Sequence, residues 1–321
     1  MRETEGLMDT FRVGLLLTER CNIACRHCWF DSGPDKTATM TPQEARGYID
    51  QARGIPAVEW ISFTGGEPFL LPEALLKLVR YASDRGLRTE CVTNCFWAET
   101  EERTSAVLGG LVDAGLDVIN ISSDDFHQRH IPFDGVRNCY RTAKSLGLKT
   151  VIMCAPSRSS TLRIGRIAEM LGGDGIHILG DGEPEAPVSA LAVETGFVPV
   201  GRAASIPRGE WLVGESPVDG PCRTVLRDVG IAPGGRVLPC CSAASLVEDV
   251  TLGNAGKRRL ASLIEEAGRR PVFKALTTIG PAGLAEQLGI MEKGRYVSRC
   301  HLCHVVLTNP GLGRALKSVS P

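Results

Sequence analysis

Three cysteines fall within one short stretch, Cys21-Asn22-Ile23-Ala24-Cys25-Arg26-His27-Cys28, in the spacing C-x3-C-x2-C. Three thiolates do not fill a four-coordinate zinc site unaided. They can hold three irons of a [4Fe–4S] cube and leave the fourth open to a ligand. A zinc site completed by His27 or by a distant residue is the alternative. A second set lies far downstream: Cys222, twelve residues, Gly235, four residues, Cys240, and then Cys300-His301-Leu302-Cys303. Gly235 suits a tight hairpin turn that would bring Cys222 and Cys240 together, and C-x2-C sets two thiolates on one centre. A zinc ribbon uses the same spacings. Cys241 is left over beside Cys240. Consecutive side chains of an extended strand point to opposite faces, so Cys241 is expected to point away from any centre that Cys240 serves. A free thiol there could give up a hydrogen atom, because S–H is weaker than C–H. Cys91, Cys139 and Cys154 read as core residues, and Cys95, at the end of a strand, as a thiol that could approach the site.

Elements must bring these distant residues together. Short apolar runs alternate with amphipathic stretches along the first two thirds of the chain. Strands are expected at 11–17, 58–63, 88–93, 118–122, 150–154 and 196–201. Thr41-Pro42-Gln43-Glu44 is a capping box with Pro at the first helical position and opens a helix to about Arg53. Further helices are expected over 72–85, 100–114, 135–146 and 161–171. This alternation spells βαβ units and a parallel sheet. Six units give an α/β fold of the partial (β/α)6, TIM-like barrel type, with its chemistry at the carboxyl ends of the strands. Residues 1–204 are assigned to that barrel. Residues 205–220, rich in Pro, Gly and Ser, read as a linker, and 221–321 as a small C-terminal cysteine-rich domain.

The bulk composition excludes several classes. Twelve cysteines in 321 residues exceed ordinary filler, and in a cytoplasmic setting they point to metal or redox chemistry. Net charge is −1 with acids and bases interspersed, so no basic stripe suggests nucleic acid. No apolar run reaches the length of a membrane span. Residues 1–10 have acidic residues and no apolar segment, so no signal peptide is expected, nor a peptide-recognition domain ahead of the first strand. The expected compartment is the cytoplasm.

Cys21, Cys25 and Cys28 after a first strand, with Gly65-Gly66-Glu67-Pro68 after the second, resemble the radical S-adenosylmethionine (SAM) superfamily. His27 stands where that pattern usually has an aromatic residue. The resemblance implies a [4Fe–4S] cluster on these three cysteines, with Gly65, Gly66 and Glu67 at the SAM amino group. Two glycines let backbone approach closely, and a carboxylate answers an ammonium. It further implies cofactor contacts from Asn94 and Ser123, and an adenine-side edge at Val198-Pro199-Val200-Gly201-Arg202-Ala203. The downstream cysteines resemble the twitch pattern, a short relative of the SPASM domain. That implies an iron–sulfur domain with a second [4Fe–4S] cluster on Cys222, Cys240, Cys300 and Cys303.

Several blocks, above all Pro239-Cys240-Cys241-Ser242, further resemble the radical SAM peptide epimerases that make D-residues. This implies Cα hydrogen abstraction from an L-residue of a ribosomally made precursor peptide. Cys241 would return the hydrogen atom, with Asp228 as a possible substrate contact. An electron donor such as flavodoxin or ferredoxin would serve the clusters. A crosslinking peptide maturase and a small-molecule epimerase or dehydrogenase of the aminoglycoside type are the rival readings.

Overall fold

A computed structural model of the chain describes residues 11–182, 188–292 and 294–319. Residues 1–10, read above as lacking a signal peptide, lie outside the described residues. The first strand, β1 (Phe11–Thr18), leads to α1 (Pro42–Arg53), β2 (Val58–Gly65), α2 (Pro72–Ser83), β3 (Arg88–Thr93) and α3 (Glu101–Asp113). Then come β4 (Val118–Ser122), the short α4 (Asp125–Gln128), α5 (Phe133–Ser145), β5 (Lys149–Cys154), α6 (Ile164–Met170), β6 (Ile176–Ile178) and β7 (Ala190–Glu194). The helix starts follow the residues. Thr41 accepts from the Glu44 amide, and Glu44 closes back on the Thr41 amide at 2.8 Å. Thr100 caps α3 in the same way through the Arg103 amide.

With β8 (Asp228–Ile231), β9 (Arg236–Leu238) and β10 (Gly253–Asn254) from the C-terminal third, one ten-stranded sheet runs β10-β9-β8-β1-β2-β3-β4-β5-β7-β6. Every pair from β8 to β6 is parallel, as helical crossovers require. The two-residue period of each strand sorts its side chains. Val13, Leu15 and Leu17 of β1 enter the fully buried core beneath the helices, each contributing about 1.5–3 kcal/mol by burial. Arg12, Gly14 and Leu16 point the other way, into the barrel.

Two findings change the expected layout. The strand expected over 196–201 does not form. Its place is taken by β7, which pairs with β5 in register Thr150↔Ala190. Pro199 inside the run lacks the N–H that a ladder strand needs, and 201–205 instead form a 3-10 turn. The C-terminal third also contributes to the barrel sheet. Strand β8 (Asp228–Ile231) pairs parallel with β1, and a hairpin returns through β9 (Arg236–Leu238) to β10 (Gly253–Asn254). Gly234 and Gly235 make its turn, both at positive φ, and a side chain on Gly235 would strike Tyr48 Oη at 2.6 Å. Helices α7 (Leu260–Arg269), α8 (Pro271–Thr278), α9 (Gly280–Gln287), α10 (Arg299–Leu307) and α11 (Leu312–Val319) complete the chain. Among the described residues no helix is long and apolar enough to cross a membrane.

Candidate active site

A cavity of about 440 Å³ opens at the carboxyl ends of the strands. Cys21, Cys25 and Cys28 line one side of it, and Gly65, Gly66 and Glu67 lie at its edge. Cys21 and Cys25 are buried and Cys28 half-buried. Burial, with Glu67 and the neighbouring thiols adding to it, pushes the Cys21 thiol up to about 12. Cys21 thus stands within reach of two further thiols, a donor set that fits a cluster ligated by three thiolates.

The glycines of the Gly-Gly-Glu turn serve close approach to the cysteine loop. Gly65 has φ +132, and a Cβ there would stand 2.3 Å from Thr18 O. On Gly66 it would stand 2.1 Å from Arg20 O. The backbone is stitched at the same point, Gly66 N to Thr18 O at 2.6 Å and Glu67 N to Arg20 O at 3.0 Å. Glu67 is therefore fixed beside Cys21. Its carboxylate accepts from the Thr93 hydroxyl, the Phe69 amide and the Asn94 amide. Burial nevertheless outweighs those donors and lifts the carboxyl to about 7. Asn94 faces the cavity and donates to Asn22 at 2.9 Å. Ser123 does not face it. Strand alternation gives that position to Ser122, and the Ser123 hydroxyl turns to Gln128. The cofactor contact implied for Ser123 is not met by this placement of its hydroxyl.

Asp124 organises the cavity wall. Its two oxygens take five donors: the Phe126, His127 and Ala155 amides, His27 Nε2 at 3.2 Å and His127 Nδ1 at 2.9 Å. Burial would raise this carboxyl, but the imidazoles outweigh it and hold it well below the usual carboxylate range. So occupied, the carboxylate is a hydrogen-bond hub with little left for a metal ion. His27 stacks on Phe126 with ring centroids 4.4 Å apart.

On the far wall, the sequence pointed to Asp228 and Cys241 but not to Arg12, Glu90 or Asn120. Arg12 grips Asp228 with two bonds, 2.9 and 2.6 Å, and Glu90 with a third at 2.8 Å, while Asn120 donates to Glu90. All four face the cavity. A charged or amide residue inside an apolar strand (Arg12 in FRVGLLL, Asn120 in VINIS) is the signal that could have found them.

Cys241 joins this wall. It follows β9 in a bend rather than on a strand, yet the two neighbours do part. Cys240 faces Cys303, Cys300 and Cys222, whereas Cys241 lines the cavity beside Asp228. Burial and then Asp228 push its thiol well up, so it stays S–H. The other four thiols converge on the opposite side of the hairpin. Cys300 and Cys303 stand on the first turn of α10, and the Cys222 amide is tied to Leu276 O at 2.8 Å. Cys95 is turned from the cavity. It is fully buried against Cys139, with φ +65. Cys91, Cys139 and Cys154 are buried as expected.

Known proteins give an independent view. Residues 15–158 match the radical SAM superfamily. The putative peptide biosynthesis protein YydG of Bacillus subtilis is 26% identical over 126 residues, 39% of this chain and 40% of that protein. The chain thus spans well under half of that relative's length. Streptococcus suis SuiB bound to precursor peptide SuiA shares the fold, with a TM-score of 0.59 at 13% identity over 92% of this chain and 76% of that one. BtrN in complex with AdoMet and 2-DOIA does so with a TM-score of 0.52 at 16% identity, over 85% and 89%. The cysteine loop, the Gly-Gly-Glu turn and strands β1 to β5 therefore belong to a radical SAM domain, and that superfamily works with a [4Fe–4S] cluster and SAM.

Proposed function

We propose that this chain is a peptide epimerase, inverting an L-residue of a ribosomally made precursor peptide with Cys241 as the hydrogen-atom donor. The observation that carries the reading is the parting of Cys240 and Cys241: one thiol joins the downstream set, and its neighbour enters the radical SAM cavity as a protonated thiol. YydG is named for peptide biosynthesis and the SuiB structure holds a precursor peptide, which supports a peptide as substrate here.

Cys21, Cys25 and Cys28 would hold the cluster, and Gly65, Gly66, Glu67 and Asn94 would seat SAM; together these groups supply a carbon-centred radical able to take a Cα hydrogen. Cys241 stands on the wall formed by Arg12 and Asp228, and from there delivers its hydrogen atom to the planar Cα radical. Asp228 orients the S–H. Arg12, bonded twice to Asp228, fixes that carboxylate in turn. The substrate is unchanged in redox state, so one electron and one proton must restore the thiol, with a flavodoxin- or ferredoxin-type donor as the electron source. Cys222, Cys240, Cys300 and Cys303 would hold a second [4Fe–4S] cluster. Support for that comes from the convergence of these four thiols, Cys303, Cys300 and Cys222 all lying near Cys240.

Turnover in D2O tests the reading. Cys241 exchanges with solvent, so the product should carry one deuterium at an inverted Cα and otherwise keep the substrate's mass. Loss of two hydrogens would mean crosslinking or dehydrogenation and would sink it.

The Glu67 assignment has its own pH signature. With its carboxyl at about 7 against an ordinary 4.5, Glu67 adds no cost below pH 4.5 and a rising one as pH climbs toward 7. An ammonium ligand needs the ionised form. SAM affinity should therefore fall about tenfold per pH unit below pH 7, since one unit is worth about 1.4 kcal/mol. Calorimetric titration from pH 8 to 6 should show this slope in the wild type. It should be flat in Glu67→Gln, and an equally steep slope there would remove Glu67 from the SAM site.

A further inference from the structure

The segment 198–203 was expected to form the adenine-side edge. Val198 does face the cavity, as do Gly196 and Phe197 before it. Arg202 does something else. Its guanidinium donates to Cys25 O at 3.0 Å and to Ser32 O at 2.7 Å, and pairs with Asp31 at 2.9 Å. Its own amide donates to Cys28 O at 3.2 Å. Two of the three loop cysteines thus have their carbonyls tied to one residue 174 or more positions away in sequence. Next to it, Gly201 has φ +59, and a Cβ there would lie 2.1 Å from Trp29 O. Phe197, Ala203 and Ile206 pack into one small apolar cluster with Cys21 and Cys25.

The loop needs such a holder. Residues 21–32 contain no regular helix or strand, so no ladder satisfies their carbonyls, and Asp31 sits at φ +57, a conformation an L-residue adopts at a cost. Thiolates brought to one point also repel one another. An arginine can fan its five N–H donors over several carbonyls and keeps its charge at any working pH.

We propose that Arg202 is a positioning residue. It latches the Cys21–Cys28 loop in its ligating shape, and does so through backbone carbonyls rather than through SAM. The proposal rests on the three-cysteine cluster site put forward above.

The test follows iron, not turnover. The anaerobically reconstituted full chain is challenged with a chelator, and iron release is followed by loss of the brown absorbance. The downstream cysteines provide an internal standard in the same molecule. Arg202→Met should release the iron of the three-cysteine loop about tenfold faster, leaving the slower downstream phase and the melting temperature unmoved. Arg202→Lys keeps the charge but cannot span the Cys25 and Ser32 carbonyls together, so it should fall close to Met. Asp31→Asn keeps the carbonyl bonds and should stay near the wild type. Release within twofold of wild type in both Arg202 variants overturns the latch. So does their failure to fold, which would make Arg202 a general scaffold residue. A wild-type chain that takes up no iron on Cys21, Cys25 and Cys28 would instead sink the cluster reading itself.

Discussion

Cys241→Ala is expected to go on consuming SAM while releasing no D-residue. The reason is geometric. Of the five C-terminal cysteines, Cys241 alone lines the cavity that holds the three-cysteine loop. Cys154 also borders the cavity, but its thiol is engaged with Leu162 O at 3.6 Å. No second thiol therefore stands ready on the Asp228 wall. Cys241→Ser should fail equally, because an O–H bond is too strong to give its hydrogen to a Cα radical. The measurement is the ratio of D-residue to 5′-deoxyadenosine, with chiral analysis of the hydrolysed peptide. A ratio in Cys241→Ala within tenfold of wild type would end the donor assignment. A gentler perturbation supports the same point. Gly14 lies under Cys241 on β1, and a Cβ there would stand 2.8 Å from its sulfur. Gly14→Ala should swing the thiol aside without touching the cysteine loop, lowering the ratio about 10- to 100-fold, the scale of a misplaced reacting group.

The sequence made some of this architecture plain and hid the rest for physical reasons. Helix starts were legible because their signals are local: Thr41 and Glu44 close a capping box within four residues. The first five strands were legible from apolar runs bounded by turn residues. Strand β7 was not. Its sequence, Ala-Leu-Ala-Val-Glu, has one β-branched residue and two alanines, while the neighbouring Gly-Phe-Val-Pro-Val run looks more strand-like and is not one. What excludes that run is a single missing N–H at Pro199. The sheet position of β8 was invisible for another reason. Its pairing with β1 joins Arg12 to Asp228 across 216 positions, and no local pattern encodes such a register.

The candidate site divides in the same way. Cys21, Cys25, Cys28 and the Gly-Gly-Glu turn announce themselves by spacing. The parting of Cys240 and Cys241 was anticipated from strand alternation, yet the structure achieves it in a bend after β9. The roles of Arg12, Glu90 and Arg202 escaped because each acts through partners far away in sequence, and Asp124 draws in His27 across 97 positions besides its local donors. Ser123 misled because one position along a strand reverses the face. Polar residues embedded in apolar strands were the unused clue to the Arg12 wall.

Gly66→Ala should cost the chain both its loop-bound iron and its affinity for SAM. A new Cβ would fall 2.1 Å from Arg20 O, 2.4 Å from Arg20 C and 2.9 Å from Glu19 O. All three are backbone atoms one or two residues before Cys21, so no side chain can rotate out of the way. The contact must open by more than an ångström to reach ordinary van der Waals distance. Opening it breaks the Gly66–Thr18 and Glu67–Arg20 bonds together. It moves Cys21 away from Cys25 and Glu67 away from the cavity in a single displacement. Backbone collisions of this kind belong to the class of substitutions that cost about 4 kcal/mol or more unless the structure shifts, and here the shift dismantles the site. Gly47 is the control. It lies exposed in α1 with nothing within 4 Å of a built Cβ, so Gly47→Ala should be neutral or stabilising by about 0.5–1 kcal/mol. Iron per chain, SAM titration and melting temperature, measured on both variants, separate the two effects. Gly66→Ala protein that melts near the wild type but holds neither iron on the loop nor SAM is the expected result. Full retention of both would show that the glycine turn does not set the cysteine loop, and the link between strand β2 and the cluster site would have to be given up.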